Sequence, residues 1–81
     1  KDKLQLYPNP VDAKFTLKYE PGVLIKNLGI SDLQGKIILQ PKIEALNQGA
    51  ITISTSSLIK GIYFLQVATV KGTQTIKFIK Q

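Results

Sequence analysis

The stretch Leu58-Ile59-Lys60-Gly61-Ile62-Tyr63 says most about the fold. In Greek-key β-sandwiches, a tyrosine just inside a strand often donates its hydroxyl to backbone a few residues upstream, and this bond fixes the connection between the two sheets. A leucine five residues before the tyrosine and a glycine two residues before it suit this corner, and both are present. We therefore expect a tyrosine corner at Tyr63. The alternative is a core ring with only its polar tip in water.

Period-two alternation of apolar and polar residues runs through the chain and predicts half-buried strands. No segment keeps the i, i+3, i+4 apolar spacing of a helix, so the sequence predicts an all-β fold with seven strands, enough for two packed sheets. The predicted strands are Leu4–Tyr7, Phe15–Tyr19, about Ile25–Ser31, Lys36–Ile43, Ala50–Ser54, one containing Gly61–Val67, and Thr73–Lys80.

Turn signals separate these strands at the spacing of a sandwich or barrel. Gly29 predicts a bulge inside the third strand, and Pro41, which has no N–H for a ladder, places part of the fourth strand at a sheet edge. The turns are Pro8-Asn9-Pro10, Pro21-Gly22 (type II), Asp32-Leu33-Gln34-Gly35, Asn47-Gln48-Gly49 and Lys71-Gly72.

The alternation also predicts which side chains form the core and which contact water. The expected core is Leu6, Phe15, Leu17, Ile30, Ile51, Ile53, Tyr63, Leu65, Val67, Ile76 and Phe78. The lysines expected in water are Lys14, Lys18, Lys36, Lys71 and Lys77.

Composition places the 81 residues in one globular domain, since 43% of them are hydrophobic. The apolar runs are far shorter than the roughly 20 residues of a membrane helix. Nothing near Lys1 resembles the apolar segment of a signal peptide, so an export signal would lie upstream in a longer precursor or be this domain itself. We expect residues 1–3 to be the remnant of a linker and residues 4–81 to form the domain.

Charge and aromatic content bear on partners. The net charge of +6 comes from lysines alone, and the absence of arginine, which binds phosphate and guanine bidentately, argues against nucleic acid. The lysines are scattered, which favours solvated strand faces over a basic binding face. Aromatic residues interleaved with lysines would also suit an oligonucleotide-binding barrel, but most of the rings fall on the apolar faces of strands.

Residues for catalysis are scarce. The chain has neither cysteine nor histidine, which excludes thiolate zinc sites and the familiar nucleophile–base pairs. The carboxylates Asp2, Asp12, Glu20, Asp32 and Glu44 show no calcium-loop spacing, although a pair assembled from distant strands stays open. Residues 54–57 (Ser-Thr-Ser-Ser) predict a polar crossover, with a modification site as the alternative. We predict no enzyme, no catalytic residue, no cofactor, no metal and no small-molecule substrate.

Four segments, in this order, resemble the type A C-terminal sorting domains of the type IX secretion system. Leu6-Tyr7-Pro8-Asn9-Pro10 looks like the opening motif of that family, and Ile30–Lys36, with Asp32 and Gly35, is similar to its strand-turn-strand motif. Gly61–Val67, with Gly61 and Tyr63, resembles its G-x-Y-x-x-x-V strand, and Lys77–Gln81 its lysine-containing terminal strand. The resemblance covers residues 4–81.

This resemblance implies a seven-stranded immunoglobulin-like sandwich at the C-terminus of a cargo protein from Bacteroidetes-type bacteria. A separate signal peptide would bring the precursor to the periplasm, and the domain would direct transport across the outer membrane to the cell surface or medium. A sortase-like peptidase would then remove the domain at a linker before Leu4. The implied partners are this peptidase, the outer-membrane machinery and a cargo fused at the N-terminus, and we expect the isolated domain to be a monomer.

The resemblance also implies residue roles. Lys77, Phe78, Ile79, Lys80 and Gln81 would form the main recognition element, and Pro8-Asn9-Pro10, with Gly61 and Tyr63, would be structural supports. A terminal strand at a sheet edge would expose unpaired backbone groups that a receptor reads by adding a strand or loop; alternatively, Lys77 and Lys80 are ordinary edge lysines that discourage aggregation.

The competing interpretation is an immunoglobulin-like adhesive or carbohydrate-associated module of a secreted multidomain protein. It would share the fold and the strand rhythm. A sorting domain has to end its gene, as Gln81 is expected to do here, whereas an accessory module can sit anywhere.

Overall fold

A computed structural model describes residues 4–20, 22–42 and 49–81. Within these ranges the regular structure consists of β-strands, which confirms the all-β prediction. The strands are β1 (Leu4–Tyr7), β2 (Lys14–Tyr19), β3 (Ile25–Ser31), β4 (Ile37–Leu39), β5 (Ala50–Ser54), β6 (Gly61–Thr69) and β7 (Gly72–Lys80).

The strands form two antiparallel sheets. One has the order β1-β2-β5 and the other β4-β3-β6-β7, so the chain changes sheet after β2, after β4 and again after β5. Two sheets with alternating strand faces bury their apolar rows against each other. The result is the predicted seven-stranded immunoglobulin-like sandwich.

The core lies between the sheets. Eight of the eleven predicted core residues are buried, and Leu6, Ile51 and Ile76 are partly buried against them. The five lysines expected in water are exposed. Five further core residues escaped the prediction, most of them at strand ends or between strands: Val11, Tyr19, Val23, Ile25 and Leu28.

Asp32 organises the turn between β3 and β4. Its carboxylate Oδ1 accepts hydrogen bonds from the backbone N–H groups of Gln34 (2.9 Å) and Lys36 (3.1 Å), and its carbonyl accepts one from Gly35 (3.0 Å). Gly35 has a φ of 83°, a conformation that favours glycine. This turn was predicted from the same two residues, Asp32 and Gly35.

Other details correct the prediction. The described part of the fourth strand is only Ile37–Leu39, although β4 does lie at a sheet edge. Gly29 is not a bulge, since it pairs regularly with Gln66. The register instead shifts around Lys26 in β3 and around Ile38 in β4. Gly29 has a packing role, because a Cβ there would lie 3.3 Å from the Cδ1 atom of Ile37.

Two predicted turns lie partly outside the described residues. Pro21 is not described, but Val23 N donates to Glu20 O at 3.2 Å and Gly22 has a φ of 95°, as a type II turn requires. Residues 43, 47 and 48 are likewise outside the description. The β6–β7 hairpin is present, but it turns at residues 70 and 71, one residue before the predicted Lys71-Gly72, because Gly72 already pairs with Thr69 as the first residue of β7.

Candidate recognition surface at the terminal strand

Strand β7 lies at the edge of the four-stranded sheet and pairs with β6 along its whole length. Phe78 is 0% exposed. Its ring centroid lies 5.1 Å from that of Phe15 in the other sheet and 5.7 Å from that of Tyr63 in β6. Aromatic pairs at these separations stabilise a core beyond the area they bury. Phe78 therefore fastens the terminal strand to both sheets.

The outer edge of β7 is occupied by the loop after β1, which we call the clip (Pro8–Val11). Asn9 Oδ1 accepts a hydrogen bond from Ile79 N (3.0 Å), and Asn9 Nδ2 donates one to Lys77 O (3.4 Å). Val11 N donates to Ile79 O at 2.6 Å, and Gln81 N donates to Val11 O at 2.8 Å. Both backbone groups of Ile79 are thus paired on the side away from β6.

The expectation of unpaired backbone groups at this end of the terminal strand is therefore wrong. A strand lying against Lys77–Gln81 would have to displace the clip first. Alternation points the backbone of Thr73 and Thr75, nearer the start of β7, to the same side as that of Ile79. Among the described residues these backbone groups have no partner on that side, so strand addition would have to occur there.

The five predicted recognition residues do not share one environment. Phe78 is in the core, and Lys80 is half-buried with its Nζ 3.5 Å from Gln81 O. Lys77, Ile79 and Gln81 are exposed. Lys77 and Ile79 alternate onto the outer face of the sheet, opposite the core face of Phe78.

The tyrosine corner is present. Tyr63 Oη donates a 2.6 Å hydrogen bond to the carbonyl of Ile59, four residues upstream. Its ring is buried, and Leu58 packs against the core. Gly61 adjoins the ring, since a Cβ there would lie 3.9 Å from the Cε2 atom of Tyr63, at ordinary contact distance. Tyr63 is thus a corner and not only a core ring.

The polar segment 54–57 begins the crossover between the sheets, as predicted, since β5 ends at Ser54 and β6 starts at Gly61. Thr55 is fully buried. Its Oγ1 donates to Asp12 O at 2.9 Å and its N–H donates to Ala13 O at 2.8 Å. These bonds join the crossover to the turn that follows the clip.

Acidic side chains are not gathered within the described ranges. No group of three or more His, Cys, Asp or Glu side chains in residues 4–20, 22–42 and 49–81 is placed to bind a metal ion. The carboxylate of Asp32 is engaged in its own turn, and Asp2 and Glu44 lie outside the description. The same ranges contain no helix long and apolar enough to cross a membrane.

Two sheets, a tyrosine corner and a clipped edge strand define a small immunoglobulin-like β-sandwich module. Residues 5–81 match the family described as the secretion system C-terminal sorting domain. The match covers nearly the whole chain, and the protein belongs to this family, the sorting domains of type IX secretion. No curated protein matches the chain.

Membership defines a role in general terms. Type IX sorting signals act with the secretion machinery on a cargo on their N-terminal side, and they lead to export across the outer membrane. The family is one of sorting signals and not of enzymes. The sequence had pointed to this family, but it did not reveal the clip. Pro8-Asn9-Pro10 predicted a turn and a structural support, but the motif does not indicate that its partner is Ile79, 70 residues away.

Proposed function

We propose that this domain is the export address of its cargo and that the secretion machinery reads Lys77–Gln81 in the folded state. The observation that supports this most is the way the segment is held. Pairing with β6 on one edge and with the clip on the other fixes its backbone, while the side chains of Lys77, Ile79 and Gln81 stay in water. A receptor would meet these groups already ordered, which lowers the entropic cost of binding.

The route has three further steps. A separate signal peptide takes the precursor to the periplasm, the machinery moves it across the outer membrane, and a sortase-like peptidase cuts in the linker before Leu4. The cargo is then attached to the surface or released. The domain itself performs no catalysis in this scheme, and it binds neither nucleic acid nor a small-molecule substrate.

The decisive experiment fuses the chain to the C-terminus of a periplasmic reporter in a type IX-competent host. We expect the reporter on the surface or in the medium, and in the periplasm of a host without the machinery. The double variant Lys77→Ser, Lys80→Ser should lower the exported fraction. At the exposed site, Lys77, the change in stability should be only about ±0.5 kcal/mol, as is usual for surface substitutions, and urea unfolding shows whether the half-buried Lys80 adds to it. The control is Lys14→Ser, Lys18→Ser, which removes the same charge from exposed positions on β2.

The outcomes separate three interpretations. If only the variant at residues 77 and 80 loses export, the lysines of the terminal segment are read. If both double variants lose export equally, net charge matters and not this segment. An unmodified fusion that stays in the periplasm of the competent host would contradict the sorting role and favour an accessory module instead.

A further inference from the structure

The outer face of the four-stranded sheet carries a continuous apolar stripe. Its members are Ile37 in β4, Phe64 and Ile62 in β6, and Ile79 in β7. Three of them are exposed large apolar side chains: Ile37 (42%), Ile62 (36%) and Ile79 (43%). Single exposed isoleucines are ordinary on a protein surface, so the question is whether these side chains form one patch.

The strand register shows that they do. Ile62 is paired directly with Ile79, and Phe64 lies two residues along the same face of β6. Ser31 is paired with Phe64 on one side and with Ile37 on the other. Directly paired residues have Cβ atoms about 4.5–5.5 Å apart, so the stripe crosses all four strands.

Small residues of β3 close the gap in its middle. Ser31 alternates onto this outer face, yet it is only 1% exposed, so larger neighbours cover it. Gly29, on the same face, lies beneath Ile37, whose Cδ1 atom is 3.3 Å from the position of a glycine Cβ. Ile37 therefore extends over β3 at Gly29, and in the register the small residue Ser31 lies between Ile37 and Phe64.

The charged residues of the four-stranded sheet indicate which kind of partner would cover the stripe. Strands β3, β4, β6 and β7 contain Lys26, Lys77 and Lys80 but no aspartate or glutamate, and Lys77 is paired with Phe64 on the stripe's own face. A second copy of a chain with net charge +6 would be repelled. A complementary partner would present an apolar ridge bordered by carboxylates.

We propose that the outer stripe, with Lys77, is the docking face for an acidic-rimmed protein receptor of the export machinery. This rests on the proposed function and deepens it. Because the clip closes the backbone edge at Ile79, the terminal segment is read through its outward side chains together with β6. The contact therefore extends beyond Lys77–Gln81 to Ile62 and Phe64.

The test compares export of the reporter fusion with and without the double variant Ile62→Thr, Ile79→Thr. Threonine keeps the β-branching that suits a strand and removes apolar surface. We expect the exported fraction to fall at least about tenfold, which corresponds to about 1.4 kcal/mol of lost binding. The control is Ile59→Thr, the same change at an 81% exposed side chain in the connection between β5 and β6, outside the strands that carry the stripe, and it should export like the parent.

Urea unfolding of each purified variant shows whether it remains folded. A folded Ile62→Thr, Ile79→Thr variant that exports like the parent overturns the docking face while leaving the sorting role intact. A parent fusion that is not exported contradicts both the docking face and the sorting role. If the double variant does not fold, export of the Lys77→Glu fusion tests the docking face instead. A tenfold loss of export supports the face, and unchanged export overturns it.

Light scattering of the pure domain tests the alternative occupant. A dimer that the threonine pair dissociates would show that a second copy covers the stripe, and it would overturn the proposal of a receptor.

Discussion

Two buried tyrosines, Tyr63 and Tyr19, differ in what their hydroxyl groups contact. The Tyr63 hydroxyl donates to Ile59 O. The Tyr19 hydroxyl is buried without a hydrogen-bond partner among the described residues. A buried polar group without a partner costs about 1–3 kcal/mol, whereas a satisfied one contributes to stability.

This contrast gives a matched pair of substitutions. Tyr63→Phe leaves the Ile59 carbonyl without its donor and should lower the free energy of unfolding by about 1–3 kcal/mol. Tyr19→Phe removes an unsatisfied hydroxyl and should leave that free energy unchanged or raise it. Urea unfolding measures both, and midpoints of both variants equal to that of the parent would show that neither hydroxyl matters.

Single residues also mark the limit of what the sequence predicts. Asp32 and Tyr63 were predicted correctly because their hydrogen bonds close within four residues, where spacing determines geometry. Gly29 was predicted wrongly, because the sequence shows a missing side chain but not that Ile37 fills the space. Val11 escaped the core prediction since it belongs to no alternating run.

At the scale of elements, the alternation predicted which face of each strand is buried, and most strand bounds followed from it. The alternation carries no information on which strands are neighbours, so the contact of the clip with β7 could not be predicted from it. The clip joins Asn9 to Ile79 across 70 residues of sequence. It also explains how β7 can be an edge strand without offering its terminal end for strand addition.

The clip makes a prediction of its own. Asn9→Ala removes both side-chain bonds to β7 and should destabilise the domain by about 1–3 kcal/mol, at about 0.5–1.5 kcal/mol for each bond. The more specific effect of this substitution is on the hydrogen exchange of single amides in β7. Hydrogen exchange at the Ile79 amide should accelerate, while the amide of Phe78, which alternation turns toward β6, keeps its protection apart from the global loss of stability. Unchanged exchange at Ile79 would show that the Val11 bonds hold the strand without Asn9.

At the scale of the whole molecule, the terminal strand is both part of the core and the proposed address. Phe78 contacts Phe15 of the opposite sheet and Tyr63 of its own. A domain of this size has a total stability of about 4–12 kcal/mol, at about 0.05–0.15 kcal/mol per residue. Loss of a buried phenylalanine alone costs about 3–5 kcal/mol.

Deletion of Lys77–Gln81 should therefore unfold the domain, because it removes Phe78, the end of the β6 ladder and all the partners of the clip together. We expect the truncated chain to lose its cooperative urea transition and near-ultraviolet circular dichroism, while Lys77→Ser, Lys80→Ser keeps both. Export lost on truncation would then report loss of the fold and would not identify the residues that are read. A truncated chain that unfolds cooperatively within about 1 kcal/mol of the parent would contradict this, and it would make the last five residues an appendage that the receptor reads as a peptide.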